Sequence, residues 1–254
     1  MTDRTQPAYD GSPKRYLSMR NGIGDARIIA ALACVCVFVM AGAALPSMTA
    51  AATALFVYGV FAAVLLFYAT RAEVLHRFGW ANVITNVRLA LAAILAGAIV
   101  DAPIVIGSWW LGGLAAAALL SDGLDGLVAR RRASVSSFGA HFDREVDAGL
   151  VLILGLLLWF SGKIGIWIVA AGLMRYLLLV AGLAWPRLAM PLPESRFRSA
   201  VCGILVAALV ICLLPVVDSV QASVIGAAAL SALTLSFGKD LIWLLTKAPK
   251  RNIS

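Results

Sequence analysis

The stretch Ser121-Asp122-Gly123-Leu124-Asp125-Gly126-Leu127-Val128-Ala129-Arg130 is followed, after eight residues, by Gly139-Ala140-His141-Phe142-Asp143-Arg144-Glu145-Val146-Asp147. It sets four aspartates between two long apolar runs. Asp122 and Asp125 are spaced i, i+3, and Asp143 and Asp147 are spaced i, i+4, so each pair occupies one face of its helix. A short reversal at about 131–137 would let the two faces meet. Carboxylates at a membrane boundary are costly unless paired or bound to cations. Four converging carboxylates repel one another at neutral pH, and hard divalent cations remove that repulsion. An all-oxygen donor set of this kind suits Mg²⁺, Mn²⁺ or Ca²⁺. Gly139 leaves room on the Asp143 face for a ligand or a neighbouring helix, and Gly126 lets a ligand approach the backbone. Arg130, one turn after Gly126, offers a guanidinium to phosphate. Glu145 falls off the 143/147 face by helical phase and reads as an ordinary residue, available to pair with an arginine.

Composition supplies the setting. The chain has 254 residues, 62% of them hydrophobic and 13% charged, with a mean hydropathy of +0.93. That is a polytopic, all-α membrane protein rather than a soluble domain. The net charge of +8 comes from basic residues beside apolar runs, which points to membrane topology and anionic headgroups, not to nucleic acid. Cys34, Cys36, Cys202 and Cys212 lie inside apolar runs without metal-ligand spacing, and two histidines are too few for a His-based metal site. Residues 1–27 are polar and run into an apolar stretch of spanning length with no clear cleavage site, so they read as a cytoplasmic tail.

Eight apolar runs are long enough to span, at about 28–46, 50–70, 82–101, 104–130, 138–161, 164–186, 199–215 and 220–246. Basic residues gather before the first run and after the second, fourth, sixth and eighth, while the opposite loops hold only Lys163. The positive-inside rule then places both termini and the aspartates at the cytoplasmic face, in a bacterial-type inner membrane. The expected organisation is a tail at 1–27, a transmembrane hairpin at 28–70, an interfacial helix or polar loop at 71–80, a membrane domain at 81–247 and a tail at 248–254. Asp101 and Asp218 read as solvated helix ends. Arg175 lies within the sixth run and should face the bundle interior. Lys239-Asp240 reads either as a mutually neutralised pair or as part of a headgroup site.

The pattern Asp122-x-x-Asp125-Gly126-x-x-Ala129-Arg130, eight residues, then Gly139-x-x-x-Asp143-x-x-x-Asp147 resembles the signature of CDP-alcohol phosphotransferases at all eight defining positions. Asn82-Val-Ile-Thr85-Asn-Val-Arg88 resembles the segment that opens the first core helix of that family, with Ala81 where a proline is common. The resemblance covers about residues 80–246 and implies a six-helix core. The first two helices are extra to it, and their role stays open, as a packing or a dimer-peripheral hairpin.

The resemblance implies an enzyme with two divalent metal ions, Mg²⁺ or Mn²⁺. Asp122, Asp125, Asp143 and Asp147 would be the ligands, and Asp147 would also be the general base. It further implies that Asn82, Thr85, Arg88, Asp122, Gly126, Arg130 and Gly139 bind the cytidine diphosphate; the lesser alternative for Arg88 is a buried structural arginine. The implied reaction moves a phosphatidyl-type group from CDP-diacylglycerol to an alcohol with release of CMP, in phospholipid biosynthesis. The family also implies a homodimer. Ser195-Arg196-Phe-Arg198-Ser199 resembles the basic segment of phosphatidylglycerophosphate synthases, with arginines replacing lysines. Arg175, Arg196 and Arg198 would then bind a phosphorylated acceptor such as glycerol phosphate or inositol phosphate. Alternatively, Arg196 and Arg198 only anchor the cytoplasmic side. Three other readings remain: a family member with a small CDP-alcohol donor and a lipid acceptor, a divalent-cation transporter, and a non-catalytic assembly protein. Intact Asp147 argues against the last. The position of the acids at helix ends argues against the transporter, whose acids sit nearer the bilayer midplane.

Overall fold

A computed structural model describes residues 32–71, 80–132, 137–185 and 195–246. Within them, the side chains of 65–71, 80–85, 122–132, 137–144, 179, 183, 184 and 196 lie outside the description. Every described element is helical: α1 (Leu32–Ala44), α2 (Met48–Arg71), α3 (Trp80–Ala98), α4 (Ala102–Val105), α5 (Trp109–Arg132), α6 (Ser137–Phe160), α7 (Ala170–Ala184), α8 (Arg196–Leu213) and α9 (Ser219–Thr246). A single 3-10 turn, Ile166–Val169, leads into α7.

The apolar runs and the helices correspond one to one, with a correction in the fourth. The run expected to be one helix over 104–130 is broken. Pro103 lies in the first turn of the short α4, where proline is tolerated. Gly107 then adopts a left-handed φ of 82°, which ends that helix, and α5 starts at Trp109. The interfacial segment at 71–80 falls almost wholly outside the described residues. So do the two tails.

α3 and α6 form the centre. α3 packs against α2, α5 and α6, and α6 packs against α3, α7 and α8. Leu89, Ile94 and Leu95 of α3, and Leu154, Leu157 and Leu158 of α6, are buried. The periphery is just as apolar: Phe38 is 61% exposed, Phe56 70%, Leu120 68%, Leu177 64% and Leu235 76%. Large apolar faces on every side would be untenable in water and are ordinary against lipid. The fold is therefore consistent with a membrane helix bundle. Among the described residues, α9 is the helix long and apolar enough by itself to cross a membrane. α5 and α6, with 24 residues each, would extend about 36 Å, beyond the roughly 30 Å of hydrocarbon.

Polar contacts fix the helix ends. Ser47 caps α2, its Oγ accepting from the Ala50 N–H at 3.1 Å. The Ser47 N–H and hydroxyl both donate to Asp101 Oδ2, at 3.1 and 2.7 Å. Asp101 is thus not a solvated helix end. It is 8% exposed and fastens the turn after α3 to the start of α2. Asp218 does behave as an exposed helix end: its Oδ1 accepts from the Gln221 N–H at 2.7 Å, and Gln221 Oε1 accepts from the Asp218 N–H at 3.2 Å. This is a reciprocal cap for α9. Lys163, in the turn after α6, donates to the Leu214 carbonyl at 2.8 Å, and its burial there pushes the ammonium below the ordinary lysine value.

Small residues set the helix spacing. A Cβ on Gly97 would lie 2.5 Å from the Ala50 carbonyl oxygen and 2.9 Å from Ala54 Cβ. α3 therefore runs in close contact with α2, through Ala50 and Ala54, both fully buried. The α1–α2 hairpin is packed into the core by this contact. Gly97→Val should cost about 1–3 kcal/mol by overpacking. Gly59→Ala, where nothing lies within 4 Å, should not. Thermal unfolding of the purified protein in detergent checks the contrast. Equal melting temperatures for the two variants would contradict the close α2–α3 contact.

Candidate active site

The second half of α5 carries positions 122, 125, 126 and 130, and the first half of α6 carries 139, 143 and 147. The link between them, 133–136, lies outside the described residues. The reversal expected at about 131–137 falls largely on these residues. Both α5 and α6 pack against α3 and α8. The side chains of Asn82, Thr85, Asp122, Asp125, Arg130, Asp143 and Arg196 lie outside the description, as do the surroundings of Gly126 and Gly139.

Asp147 is described, and it meets another residue singled out from the sequence. Arg88 Nη1 of α3 donates to Asp147 Oδ1 at 2.7 Å. The Arg88 side chain has no exposed surface, whereas Asp147 is 40% exposed. A guanidinium in an apolar bundle needs a carboxylate to neutralise it. The buried-arginine reading of Arg88 is the one this geometry favours. The same contact orients the Asp147 carboxylate.

Two more ion pairs gather near this end of the bundle. Glu145, off the Asp147 face, pairs with Arg175 of α7, in keeping with its helical phase. Arg198 Nη1 of α8 donates to Asp240 Oδ2 of α9 at 3.2 Å. Lys239 and Asp240 are therefore not each other's partners. Adjacent helical residues diverge by about 100°, and Lys239 Nζ instead sits 5.8 Å from the centre of the Phe197 ring. Arg175 and Arg198, expected at the acceptor site, are thus each engaged by a carboxylate. The charges of Asp147, Arg175, Arg198 and Asp240 all reach the Cys202 sulfur electrostatically, which places them around the N-terminal half of α8.

One contact was missed from the sequence. The Tyr58 hydroxyl of α2 donates to Asn86 Oδ1 of α3 at 3.1 Å. Asn86 lies inside the Asn82–Arg88 segment, and the available signal was a tyrosine within a largely apolar run.

Oxygen donors at these four positions suit a hard divalent cation. The Asp147 carboxylate, 40% exposed beside Arg88, is one such donor. Among the described residues no group of three or more potential ligands comes together; the other three aspartates lie outside them.

A family model described as CDP-alcohol phosphatidyltransferase matches residues 78–236, more than half of the chain. The matched region opens just before α3 and closes within α9, leaving α1 and α2 outside it. No curated protein and no solved structure matches the chain.

Glu145 and Asp147 stand two residues apart, and their ion pairs should differ in weight. Asp147→Ala takes a carboxylate from a fully buried guanidinium, an expected loss of about 2–4 kcal/mol. Glu145→Ala breaks a pair exposed by 35% and 40% on its two sides, and should cost less than about 1 kcal/mol. Denaturation midpoints of the two variants measure the order. A Glu145→Ala loss equal to that of Asp147→Ala would contradict it.

Proposed function

This chain belongs to the CDP-alcohol phosphatidyltransferase family, and from that premise we propose that it moves a phosphatidyl-type group from CDP-diacylglycerol to an alcohol and releases CMP. The observation that carries the reading is an intact Asp147, oriented by Arg88 within the matched segment. We place the enzyme in the membrane with eight spans, both termini and the site on the cytoplasmic side, and a homodimer as the working unit. The basic flanks of the apolar runs support that orientation.

Asp122, Asp125, Asp143 and Asp147 would hold two divalent cations, Mg²⁺ or Mn²⁺, which when bound neutralise charge on the pyrophosphate of the donor. Asp147 takes the proton of the acceptor hydroxyl. The hydroxyl oxygen bonds to the β-phosphorus, the bond from that phosphorus to the oxygen bridging to the α-phosphate breaks, and CMP leaves with the electron pair. Arg88 holds the Asp147 carboxylate in place through this step. Gly126 and Gly139 would leave space for the nucleotide, with Asn82, Thr85 and Arg130 as its polar contacts.

For the acceptor we infer a phosphorylated alcohol, such as glycerol phosphate or inositol phosphate. The support is the supply of guanidinium groups near α8: Arg175, Arg196 and Arg198. Arg198, at 33% exposure, could exchange Asp240 for a phosphate oxygen. A family member with a small CDP-alcohol donor and a lipid acceptor is the competing assignment.

Purified protein in lipid vesicles, given CDP-diacylglycerol, Mn²⁺ or Mg²⁺ and a panel of alcohols, should release CMP with one acceptor class and stop on chelation of the metal. Asp147→Asn keeps an oxygen for Arg88, so it should retain CDP binding while turnover falls about 100-fold or more. CMP release from none of the acceptors, together with divalent-cation flux across the vesicle wall, would replace the enzyme reading with a transporter.

A further inference from the structure

The hairpin α1–α2 lies outside the matched segment, yet it touches α3 beside Arg88. Tyr58 is 1% exposed, and its hydroxyl donates to Asn86, two residues before Arg88. Cys34 and Cys36 of α1 lie near enough to act electrostatically on that hydroxyl. Farther along α3, Gly97 lies against Ala50 and Ala54. Beyond the end of α3, Asp101 holds Ser47. The hairpin thus grips α3 at three levels. Two residues along a helix correspond to a turn of about 200° and a rise of about 3 Å. Asn86 and Arg88 therefore face opposite sides of α3 at nearly one height. Tyr58 holds one side, and Asp147 of α6 receives the other.

The geometry points to Tyr58 as a positioning residue for the reaction. Through Asn86 it fixes the rotation of the N-terminal half of α3, and so the angle at which Arg88 presents itself to Asp147. This rests on the reading of Asp147 as the general base. A rotation of α3 by even 20° carries a side-chain tip reaching about 6 Å from the axis through about 2 Å, enough to break a hydrogen bond. A hairpin that only filled space would need no hydroxyl at position 58.

Tyr58→Phe keeps the ring and removes the donor. The expected result is a fall in kcat of about fivefold, the equivalent of one hydrogen bond. KM for the CDP donor should stay near wild type, and the melting temperature should fall by no more than about a few degrees. Asn86→Leu should give a similar fall, and the double variant should be no worse than the poorer single one. A structural arm needs no substrate. Spin labels at Val87→Cys on α3 and Phe160→Cys on α6, both exposed positions, would be placed in a chain whose exposed Cys34, Cys36 and Cys202 are serine. The label-to-label distance distribution should broaden on adding Tyr58→Phe. Wild-type kcat with an unchanged distribution overturns the proposal, and so do fully additive losses in the double variant. If the unaltered protein releases no CMP with any acceptor, the enzyme reading fails separately. The distance arm then decides alone: broadening sustains the grip of Tyr58 on α3, and an unchanged distribution overturns it.

Discussion

A guanidinium with no exposed surface sits in a bundle whose walls are leucine, alanine and isoleucine. The Arg88–Asp147 contact makes that arrangement tolerable, and its cost explains its influence on everything around it. A charge in so apolar a setting cannot drift from its partner. Sliding α6 by one turn against α3 would move the carboxylate about 5.4 Å and strand the arginine. The register of the two central helices is therefore fixed at the height of the site. α2, α5, α7 and α8 pack on one or both of these helices and inherit that register.

The other charges repeat the same logic with less at stake. Glu145 and Asp147 are two residues apart on α6, so they diverge toward α7 and α3 respectively. Arg198 and Asp240 join α8 to α9. Each pair among the described residues spans neighbouring helices. This end of the bundle carries buried or half-buried charge, whereas farther from the site the helices are held by close contacts at Gly97 and Gly172, where a Cβ would meet neighbouring backbone or side-chain atoms within 3 Å. Polar rigidity near the chemistry and apolar close packing away from it divide the helices between them.

Much of this was legible from residue order. Hydropathy located the long helices because lipid demands about 20 apolar residues regardless of tertiary partners. Helical phase separated Glu145 from Asp147 because it depends on spacing alone. The failures have separate causes. Asp101 read as a solvated end because its partner, Ser47, is 54 residues away, and no local pattern announces such a contact. The helix expected over 104–130 was broken by Gly107, whose left-handed φ is optional for glycine and so invisible in composition. Lys239-Asp240 was open to a mutual pairing that phase should have excluded. The metal ligands rest on spacing and on family membership, with Asp147 the one whose surroundings the structure describes.

The Ser47–Asp101 fastening bears on how the protein can be taken apart. The family segment begins at residue 78, and a chain trimmed to that boundary would look complete by alignment. Such a chain would lose the serine that satisfies Asp101 and the tyrosine that satisfies Asn86. It would turn toward lipid a face of α3 that carries a carboxylate, an amide and a groove shaped for Ala50 and Ala54. For this protein the excisable unit is larger than the unit that sequence comparison delimits. Exchanging the hairpin for that of another protein would require matching those three contacts, not merely supplying two hydrophobic segments.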